Sequence, residues 1–385
     1  MSATETLRYL GDGRELEDRP LPDDLSDKDL LELFGWLIRL RTFDERAVAL
    51  QRQGRIGTYP LFWGEEGTQA GPLYAMSESD WVFPSYRQCA IGTLRGVSIA
   101  TILGWVRGYN GPAGFYNPRD FRVGPICVPI ATHLLHAVGV AWAAKIRGED
   151  VASLAWFGDG GTSEGDFHEA LNFASVFKTA TVFFCTNNQW AISTPVTRQM
   201  ANTHIADKAL GYGMPGVRVD GFDPIACWKA TKDALQRARA GEGPTLIEAF
   251  CYRIAAHGTA DDPKLYRDEA EAEKWKPLEP VGRMASFLKR QGLIDDDRIE
   301  EMRADARAAI ARGVKEMEAI GRLPEEVVFE HVYASEMPWT LREGLEELKA
   351  AGVPAGVDPV GPLPGPQTSE VQQDTASDRQ GGGRA

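Results

Sequence analysis

The chain has 385 residues, of which 43% are hydrophobic and 25% are charged, proportions typical of a globular protein with a sizeable buried core. Its formal net charge of −13 argues against binding to nucleic acid or to an anionic membrane surface. Five scattered cysteines, with no CxxC pair among them, argue against a disulfide framework or a zinc site.

The N-terminal residues lack the features of a targeting segment. Residues 1–22 are polar and acidic, with neither the basic start and apolar centre of a signal peptide nor the Arg- and Ser-rich composition of a transit peptide. No apolar run approaches the ~20 residues that are needed to cross a bilayer. We therefore expect a cytoplasmic protein.

The first part of the chain is predicted to be an arm followed by a long helix. Residues 1–26 are expected to form a loosely ordered N-terminal arm. Ser26 is a candidate N-cap with Asp29 completing a weak capping box, and apolar residues continue at helical spacing to about residue 54. Glycine, aromatic residues and short turns dominate the next segment, 55–125, and a helix of small residues is predicted at 131–145.

From residue 152 the pattern alternates between short apolar strands and helices. Strands are expected at 152–157, 180–185, 216–220 and 245–252, and helices at 166–177 and 224–239. Strand–helix–strand units of this length imply a mostly parallel sheet with helices on both faces, which is an α/β fold.

The remainder of the chain divides into charged helices and a tail. Residues 281–320 are expected to form two or three amphipathic helices, so that a single domain spans residues 27–350. Residues 351–385 are rich in Pro, Gly, Ser, Gln and Asp. Because such a composition cannot bury enough apolar surface to fold, we expect a disordered tail.

Two polar segments follow consecutive predicted strands. Asp159 lies just beyond the first strand, in GDGGTSEGD (158–166), and Asn188 lies just beyond the next, in NNQWAIS (187–193). The carboxyl ends of adjacent parallel strands face one crevice, where ligands bind. A carboxylate, an amide oxygen and the backbone carbonyl of Trp190 suit Mg²⁺, which prefers oxygen ligands and keeps phosphate oxygens and water among them.

Glycines beside Asp159 favour the same interpretation. Gly160 and Gly161 let the main chain approach a diphosphate group at a turn that leads into a helix. The GxxxxGK[ST] sequence of a P-loop is absent. A tight turn or a chance Asn-Asn pair would each mean little alone, but their placement at the ends of neighbouring strands favours a site for a metal and a diphosphate.

With these two motifs, the sequence resembles the E1 α subunits of thiamine-diphosphate-dependent 2-oxo acid dehydrogenases, which act on pyruvate or on branched-chain 2-oxo acids. The resemblance covers roughly residues 27–345 and extends to several further segments. These segments are QRQGRIGTYP, WGEEGTQAG, VFPSYRQ, GYGMPGVRVDG, GPTLIEAFCYR and AHGTADDPKLYR. The resemblance implies the thiamine-diphosphate-binding fold, with thiamine diphosphate and Mg²⁺ as cofactors.

The same resemblance implies roles for individual positions that would contact the cofactor. The residues that match phosphate or diphosphate contacts are Tyr86, Arg87, Gly158, Gly160 and Gly161. The residues that match Mg²⁺ ligands are Asp159, Asn188 and, through its carbonyl, Trp190. The residues that match the surroundings of the aminopyrimidine and thiazolium rings are Val128 and Ile130.

Two further positions match the loop at the reactive end of the cofactor. His257 matches a catalytic histidine on a mobile loop, and Arg253 matches an arginine that supports that loop. From the residues alone, His257 would be an idle, solvated loop histidine. Arg87 would be either a surface ion pair or the partner of a buried anion.

The implied reaction is oxidative decarboxylation of a 2-oxo acid, with acyl transfer to a lipoyl group on a partner E2 acyltransferase. A separate E1 β subunit is expected to supply the glutamate that activates the cofactor, in an α₂β₂ heterotetramer. The alternatives are another two-subunit enzyme such as acetoin dehydrogenase, a transketolase relative, or a non-catalytic paralogue. A transketolase relative is disfavoured because such enzymes usually carry both cofactor modules on one longer chain. The sequence does not distinguish pyruvate from branched-chain substrates.

Three positions depart from relatives. Thr186 stands where some branched-chain relatives have an arginine that contacts the diphosphate. His133 stands where some relatives have a glutamine near a structural cation site. Gly258 follows the loop histidine, where mammalian relatives carry a phosphorylated serine, so control by phosphorylation at this position is impossible.

Overall fold

A parallel sheet organises this computed structural model, which describes residues 5–11, 16–109, 114–321, 323–329 and 332–352. Its strands are β1 Trp81–Phe83, β2 Ser153–Gly158, β3 Thr181–Asn187, β6 Gly216–Asp220 and β7 Thr245–Phe250. They lie in the order β1-β2-β3-β7-β6, and each pairing is parallel. A separate antiparallel hairpin joins β4 Trp190–Ala191 to β5 Thr194–Pro195. The α/β fold expected from the sequence is confirmed.

Helices cover both faces of this sheet. The described helices are α1 Asp27–Arg52, α2 Glu66–Tyr74, α3 Ile91–Leu94, α4 Ile99–Arg107, α5 Pro118–Phe121, α6 Thr132–Arg147, α7 Gly165–Phe177, α8 Val196–Gln199, α9 Pro224–Arg239, α10 Glu269–Trp275, α11 Pro280–Arg290, α12 Asp296–Ala319 and α13 Trp339–Ala351. On one face α6 and α7 pack on Phe157 and Phe183, and on the other α9 packs on Trp156 and Phe184. Because alternate residues of a central strand are buried on opposite faces, β2 and β3 are nearly continuous buried runs that are mostly apolar.

The position of α2 is set by a close contact with α9. A Cβ atom at Gly71 would lie 2.4 Å from the carbonyl oxygen of Pro224, so only glycine permits this approach. The Trp156 indole N–H donates to the carbonyl of Thr68 at 2.8 Å, which ties α2 to β2. Since α2 begins directly after Glu65, this packing holds Glu65 near the carboxyl end of the sheet.

Several expected elements are confirmed with small shifts of their ends. Ser26 and Asp29 form the predicted capping box, and α1 ends at Arg52. The charged segment 281–320 forms two helices, α11 and α12, which pack with α1 and α4 around a second apolar core. The sequence did not indicate β1, which has only three residues, or the helices α2 and α4 within the glycine-rich segment.

The N-terminal segment is better ordered than predicted. Leu7 pairs with Val219 of β6, and Leu10 is completely buried. The backbone N–H groups of Tyr9 and Leu10 donate to the carboxylate of Asp223 at 2.6 and 2.7 Å. The expectation of a loosely ordered arm is therefore wrong for residues 5–11. The buried Asp223 carboxylate, far along the chain, accepts hydrogen bonds from the backbone of this segment and holds it in place.

Some expectations concern residues outside this description. The predicted disordered tail lies outside the described residues from 353 onward, and the proposed domain boundaries stay predictions.

All five cysteines are free thiols. None of the helices in the described ranges combines the length and apolar character needed to span a bilayer.

Candidate functional site

A cavity of about 320 Å³ opens at the carboxyl end of the sheet. Most of the predicted site residues line it, and these are Tyr86, Arg87, Ile130, Gly158, Asp159, Gly160, Gly161, Asn188 and Trp190. The three predicted residues that do not line it are Val128, Arg253 and His257. Val128 is exposed, with 57% of its surface accessible, whereas Arg253 and His257 lie behind residues of the wall. The sequence motifs at 158–166 and 187–193 therefore do converge.

The turn after β2 forms one wall of the cavity. Asp159 begins a short 3₁₀ helix, Asp159–Ser163, that leads into α7. A Cβ atom at Gly160 would lie 2.9 Å from the Cβ atom of Ala191, so a glycine lets the turn pack against the β4 segment. On the other side, the Gln199 side-chain N–H donates to the carbonyl of Asp159 at 2.7 Å. The turn is thus held from two directions.

The Asp159 carboxylate has an electrostatic environment that suits a cation. The residue is 1% exposed, and its Oδ2 atom has no hydrogen-bond partner among the described residues. Burial raises the pKa of Asp159 to about 7, and the nearby Glu65 carboxylate adds to this shift. A divalent cation would supply the positive charge that a buried carboxylate requires. The residue therefore fits the expected metal ligand.

Asn188 lies opposite Asp159, directly after β3. Its Nδ2 atom donates to Oε1 of Glu65 at 2.7 Å, and its Oδ1 atom accepts the Trp190 N–H at 3.2 Å. The carbonyl of Trp190 accepts a hydrogen bond from Arg253 at 3.1 Å. Because amide and carbonyl oxygens have two lone pairs, both oxygens can also coordinate a cation.

Arg87 is a buried cation in the wall of the cavity. Its guanidinium donates to the backbone carbonyls of Leu61 and His257, the latter at 3.1 Å. A second guanidinium nitrogen lies 3.0 Å from Nδ1 of His257, and Nε lies 3.8 Å from the Glu65 carboxylate. The carboxylate balances the charge of Arg87, and the guanidinium in turn sets the position of His257.

The protonation state of His257 follows from these contacts. Arg253 also lies close to Nδ1, at 3.4 Å, and guanidinium groups can only donate. Nδ1 is therefore the acceptor, and the ring proton is on Nε2. Burial, followed by the charges of Arg87 and Arg253, lowers the pKa of His257 to about 4. At neutral pH the side chain is a neutral imidazole that carries its proton on Nε2.

The loop that carries His257 is fixed by its own hydrogen bonds. The His257 N–H donates to the carboxylate of Asp261 at 2.8 Å, and the Tyr266 hydroxyl donates to the same carboxylate at 2.6 Å. Arg253, which is 1% exposed, donates to the Ile192 carbonyl and to Tyr266, each at 2.7 Å. Arg253 thus connects the histidine loop to the β4–β5 hairpin.

The three departures from relatives also have defined surroundings. Thr186 lines the cavity, and its buried hydroxyl has no partner among the described residues. The His133 ring contacts the Trp156 carbonyl through Nε2 at 2.5 Å, and burial lowers its pKa to about 4. Gly258 packs on the backbone of Tyr59, where an added Cβ atom would lie 3.3 Å from a carbonyl oxygen.

Among the polar residues of the wall that sequence reasoning missed, two contact the motif residues directly. Glu65 and Gln199 both line the cavity and contact the motif residues Asn188 and Asp159. The sequence offered one indication of Glu65, since WGEEG places two adjacent carboxylates in an otherwise apolar and aromatic segment. Nothing in the local sequence distinguishes Gln199 from an exposed surface glutamine.

Comparisons with known proteins give a consistent result. The family model described as dehydrogenase E1 component matches residues 37–325. The chain is 43% identical over 351 residues to the 3-methyl-2-oxobutanoate dehydrogenase subunit alpha of Mycobacterium tuberculosis. The aligned region covers 90% of this chain and 94% of that protein. It is 36% identical over 349 residues to the pyruvate dehydrogenase E1 component subunit alpha of Staphylococcus aureus, with coverage of 90% and 94%. The region matched by the family model includes every residue that lines the cavity.

Proposed function

The chain belongs to the dehydrogenase E1 component family, and we propose that it is the α subunit of a 2-oxo acid dehydrogenase. Its reaction is oxidative decarboxylation of a 2-oxo acid and transfer of the acyl group to a lipoyl arm on an E2 acyltransferase. The observation that supports this function most directly is the meeting of Asp159 and Asn188 in one cavity, with His257 behind its wall. Family membership implies thiamine diphosphate as the cofactor.

The residues present fit a metal-bound diphosphate. We propose that Mg²⁺ is held by the Asp159 carboxylate, Oδ1 of Asn188 and the Trp190 carbonyl, an oxygen set of the kind that Mg²⁺ prefers. The buried, unpartnered oxygen of Asp159 supports this assignment. Gly160 and Gly161 line the cavity beside Asp159, where their backbone is proposed to face the diphosphate. When bound, thiamine diphosphate supplies the carbon nucleophile and the electron sink for decarboxylation.

The side chains of this subunit are proposed to orient the bound cofactor and to donate a proton during the reaction. Arg87 and Tyr86 line the cavity, where positive charge and a hydroxyl suit phosphate oxygens. His257 presents Nε2–H, which can donate to an oxygen that becomes negative or to a sulfur that leaves the lipoyl ring. We propose this donor role for His257 because the guanidinium groups of Arg87 and Arg253 both donate to its other ring nitrogen, Nδ1.

An apolar surface on α6 and α7 supports docking of a β subunit. This surface, the α6–α7 face, consists of the exposed residues Ile146, Phe173, Val176 and Phe177 and the half-buried Trp142 that packs against two of them. Trp142 and Phe177 stack with ring centroids 4.0 Å apart, and Ile146 is 74% exposed. Contiguous exposed apolar residues of this kind mark interaction surfaces. Both helices begin beside the cavity wall, after Ala131 and Glu164, and the α6–α7 face lies toward their opposite, C-terminal ends.

Charged substitutions on the α6–α7 face are expected to prevent assembly without harming the isolated chain. Ile146→Glu and Val176→Glu replace side chains that are 74% and 65% exposed, so their effect on folding should be small. Size-exclusion chromatography with the β subunit should show loss of the complex, with circular dichroism unchanged. Trp339→Glu on α13 is the matched control, since Trp339 is 71% exposed and its helix packs on Glu325–Val328 instead. Normal assembly of the Ile146 and Val176 variants would place the β subunit elsewhere.

The substrate is proposed to be a branched-chain 2-oxo acid. The chain is more similar to the 3-methyl-2-oxobutanoate dehydrogenase subunit than to the pyruvate dehydrogenase subunit, at 43% against 36% identity. Pyruvate is the second candidate, because that similarity also covers 90% of the chain.

A substrate panel measured with the co-expressed β subunit tests this function. We expect kcat/KM for 3-methyl-2-oxobutanoate to exceed that for pyruvate by about 10-fold or more, since one methylene group in an apolar pocket is worth roughly 10–200-fold. The chain without a β subunit should show no turnover. Preference for pyruvate would overturn the branched-chain assignment, and full turnover by the isolated chain would overturn the two-subunit model.

A further inference from the structure

Two adjacent glutamates are buried at the start of α2, and they face different surroundings. Glu65 and Glu66 both have no exposed surface. Glu66 forms an ion pair with Arg41 at 2.6 Å and accepts the N–H of Gly64 at 3.0 Å. Glu65, by contrast, lines the cofactor cavity. Glu66 therefore belongs to the packing of the helices, whereas Glu65 belongs to the site.

The Glu65 carboxylate contacts Asn188, whose amide oxygen is proposed to bind the metal. Its Oε1 atom accepts the Nδ2–H of Asn188 at 2.7 Å. Its Oε2 atom lies 3.8 Å from Nε of Arg87 and has no hydrogen-bond partner within the described ranges. The Thr68 hydroxyl donates to the Glu65 carbonyl at 2.7 Å, which fixes the backbone from which this side chain extends.

This contact decides which end of the Asn188 amide can face a cation. An asparagine side chain has a donating end and an accepting end, and a carboxylate can only accept. Glu65 therefore selects the NH₂ end, and the oxygen points away from it. In the opposite orientation two oxygens would face each other at hydrogen-bond distance, and the NH₂ group would face the cation.

We propose that Glu65 is a positioning residue that orients the Asn188 amide so that Oδ1 coordinates the metal. The same carboxylate faces Arg87, whose guanidinium contacts His257, so one buried charge supports both the metal end and the histidine end of the site. This inference rests on the proposed function, because it requires that Asn188 binds Mg²⁺.

The first test compares Mg²⁺ affinity across three variants of the α–β complex. Isothermal titration of Mg²⁺ at saturating thiamine diphosphate should show a loss of roughly 10–100-fold for Glu65→Ala, the range found when an outer partner of a metal ligand is removed. Glu65→Gln keeps an oxygen acceptor for Nδ2 and should remain within a few-fold of wild type. Glu66→Ala, the matched control, should lower the melting temperature but leave Mg²⁺ affinity unchanged.

The second test reverses the polarity of the contact. Asn188→Asp alone places two carboxylates against each other and should weaken Mg²⁺ binding. Adding Glu65→Gln restores a donor–acceptor pair, because the glutamine NH₂ group donates to the carboxylate introduced by Asn188→Asp. We expect the double variant to bind Mg²⁺ about 10-fold more tightly than Asn188→Asp alone, a coupling that two independent residues would not show.

The outcomes separate the inference from the function on which it rests. If the wild-type complex binds neither Mg²⁺ nor thiamine diphosphate, the proposed function is wrong. If the wild type binds both and Glu65→Ala binds Mg²⁺ equally well, the inference is wrong. Equal losses in Glu65→Gln and Glu65→Ala, or strictly additive effects in the polarity reversal, would also overturn it. The reversal remains informative if Glu65→Ala does not fold.

Discussion

Replacing Asp159 with alanine is expected to abolish Mg²⁺-dependent binding of thiamine diphosphate while leaving the fold of the cofactor-free protein intact. The substitution removes the charged member of the proposed ligand set. The loss should therefore exceed the roughly 10–100-fold effect of removing an outer partner of a metal ligand. Calorimetric titration of the α–β complex with Mg²⁺ and thiamine diphosphate measures it.

The stability of the cofactor-free variant distinguishes a functional from a structural role. Oδ2 of Asp159 has no partner among the described residues, and the carboxylate is buried. Its removal should therefore leave the melting temperature of the cofactor-free chain unchanged or slightly raised, since a buried carboxylate without a partner is unfavourable.

Asp223 provides the matched control for this prediction. It is also a completely buried carboxylate, but it accepts the backbone N–H groups of Tyr9, Leu10, Ile225 and Ala226. Asp223→Ala should lower the melting temperature, because it leaves buried donors unpaired and removes the N-cap of α9. A similar loss of stability in Asp159→Ala, with cofactor binding preserved, would show that Asp159 is structural.

Replacing His257 with alanine is expected to leave cofactor affinity within a few-fold of wild type but to remove most acyl transfer to lipoyl groups. General acid–base assistance is typically worth roughly 10²–10⁴-fold in rate, and we expect a loss within this range. Decarboxylation measured with an artificial electron acceptor should suffer less, because this assay omits the lipoyl step. His204→Ala, which changes a histidine that does not line the cavity, should leave both rates unchanged.

The pH dependence of the two rates provides an independent test of the His257 protonation state. A base with a pKa of about 4 is neutral throughout the range from about pH 6 to about pH 8. His257 should therefore contribute no inflection to the wild-type profile near pH 6.5, roughly the usual pKa of histidine. An inflection near this pH that disappears in His257→Ala would contradict the neutral donor. Equal, minor losses in both assays would leave His257 as an ordinary loop residue.

Local sequence was sufficient to predict the parts of the site that follow strands. Asp159 and Asn188 come directly after apolar runs, and parallel strands necessarily bring such positions to one edge of a sheet. The positions of Tyr86, Arg87 and His257 were inferred from the family resemblance and not from pattern. These residues lie in segments whose sequence has no helical or strand periodicity, so the pattern of residues does not indicate where they lie in space.

Composition and periodicity by themselves determined the α/β class, the chain order of most elements and the crevice that holds Asp159 and Asn188, because these depend on contacts close in sequence. Only the tertiary structure decided which of two adjacent glutamates enters the site, since Glu65 meets Asn188 across 123 positions. It also decided the ordering of residues 5–11 on Asp223 and the contact of Arg87 with His257, which are 170 positions apart. The physical reason is the same in each case. A buried polar group forms a hydrogen bond or ion pair with whichever partner the packed chain brings close to it. The residues next to it in sequence do not indicate which distant residue that partner will be.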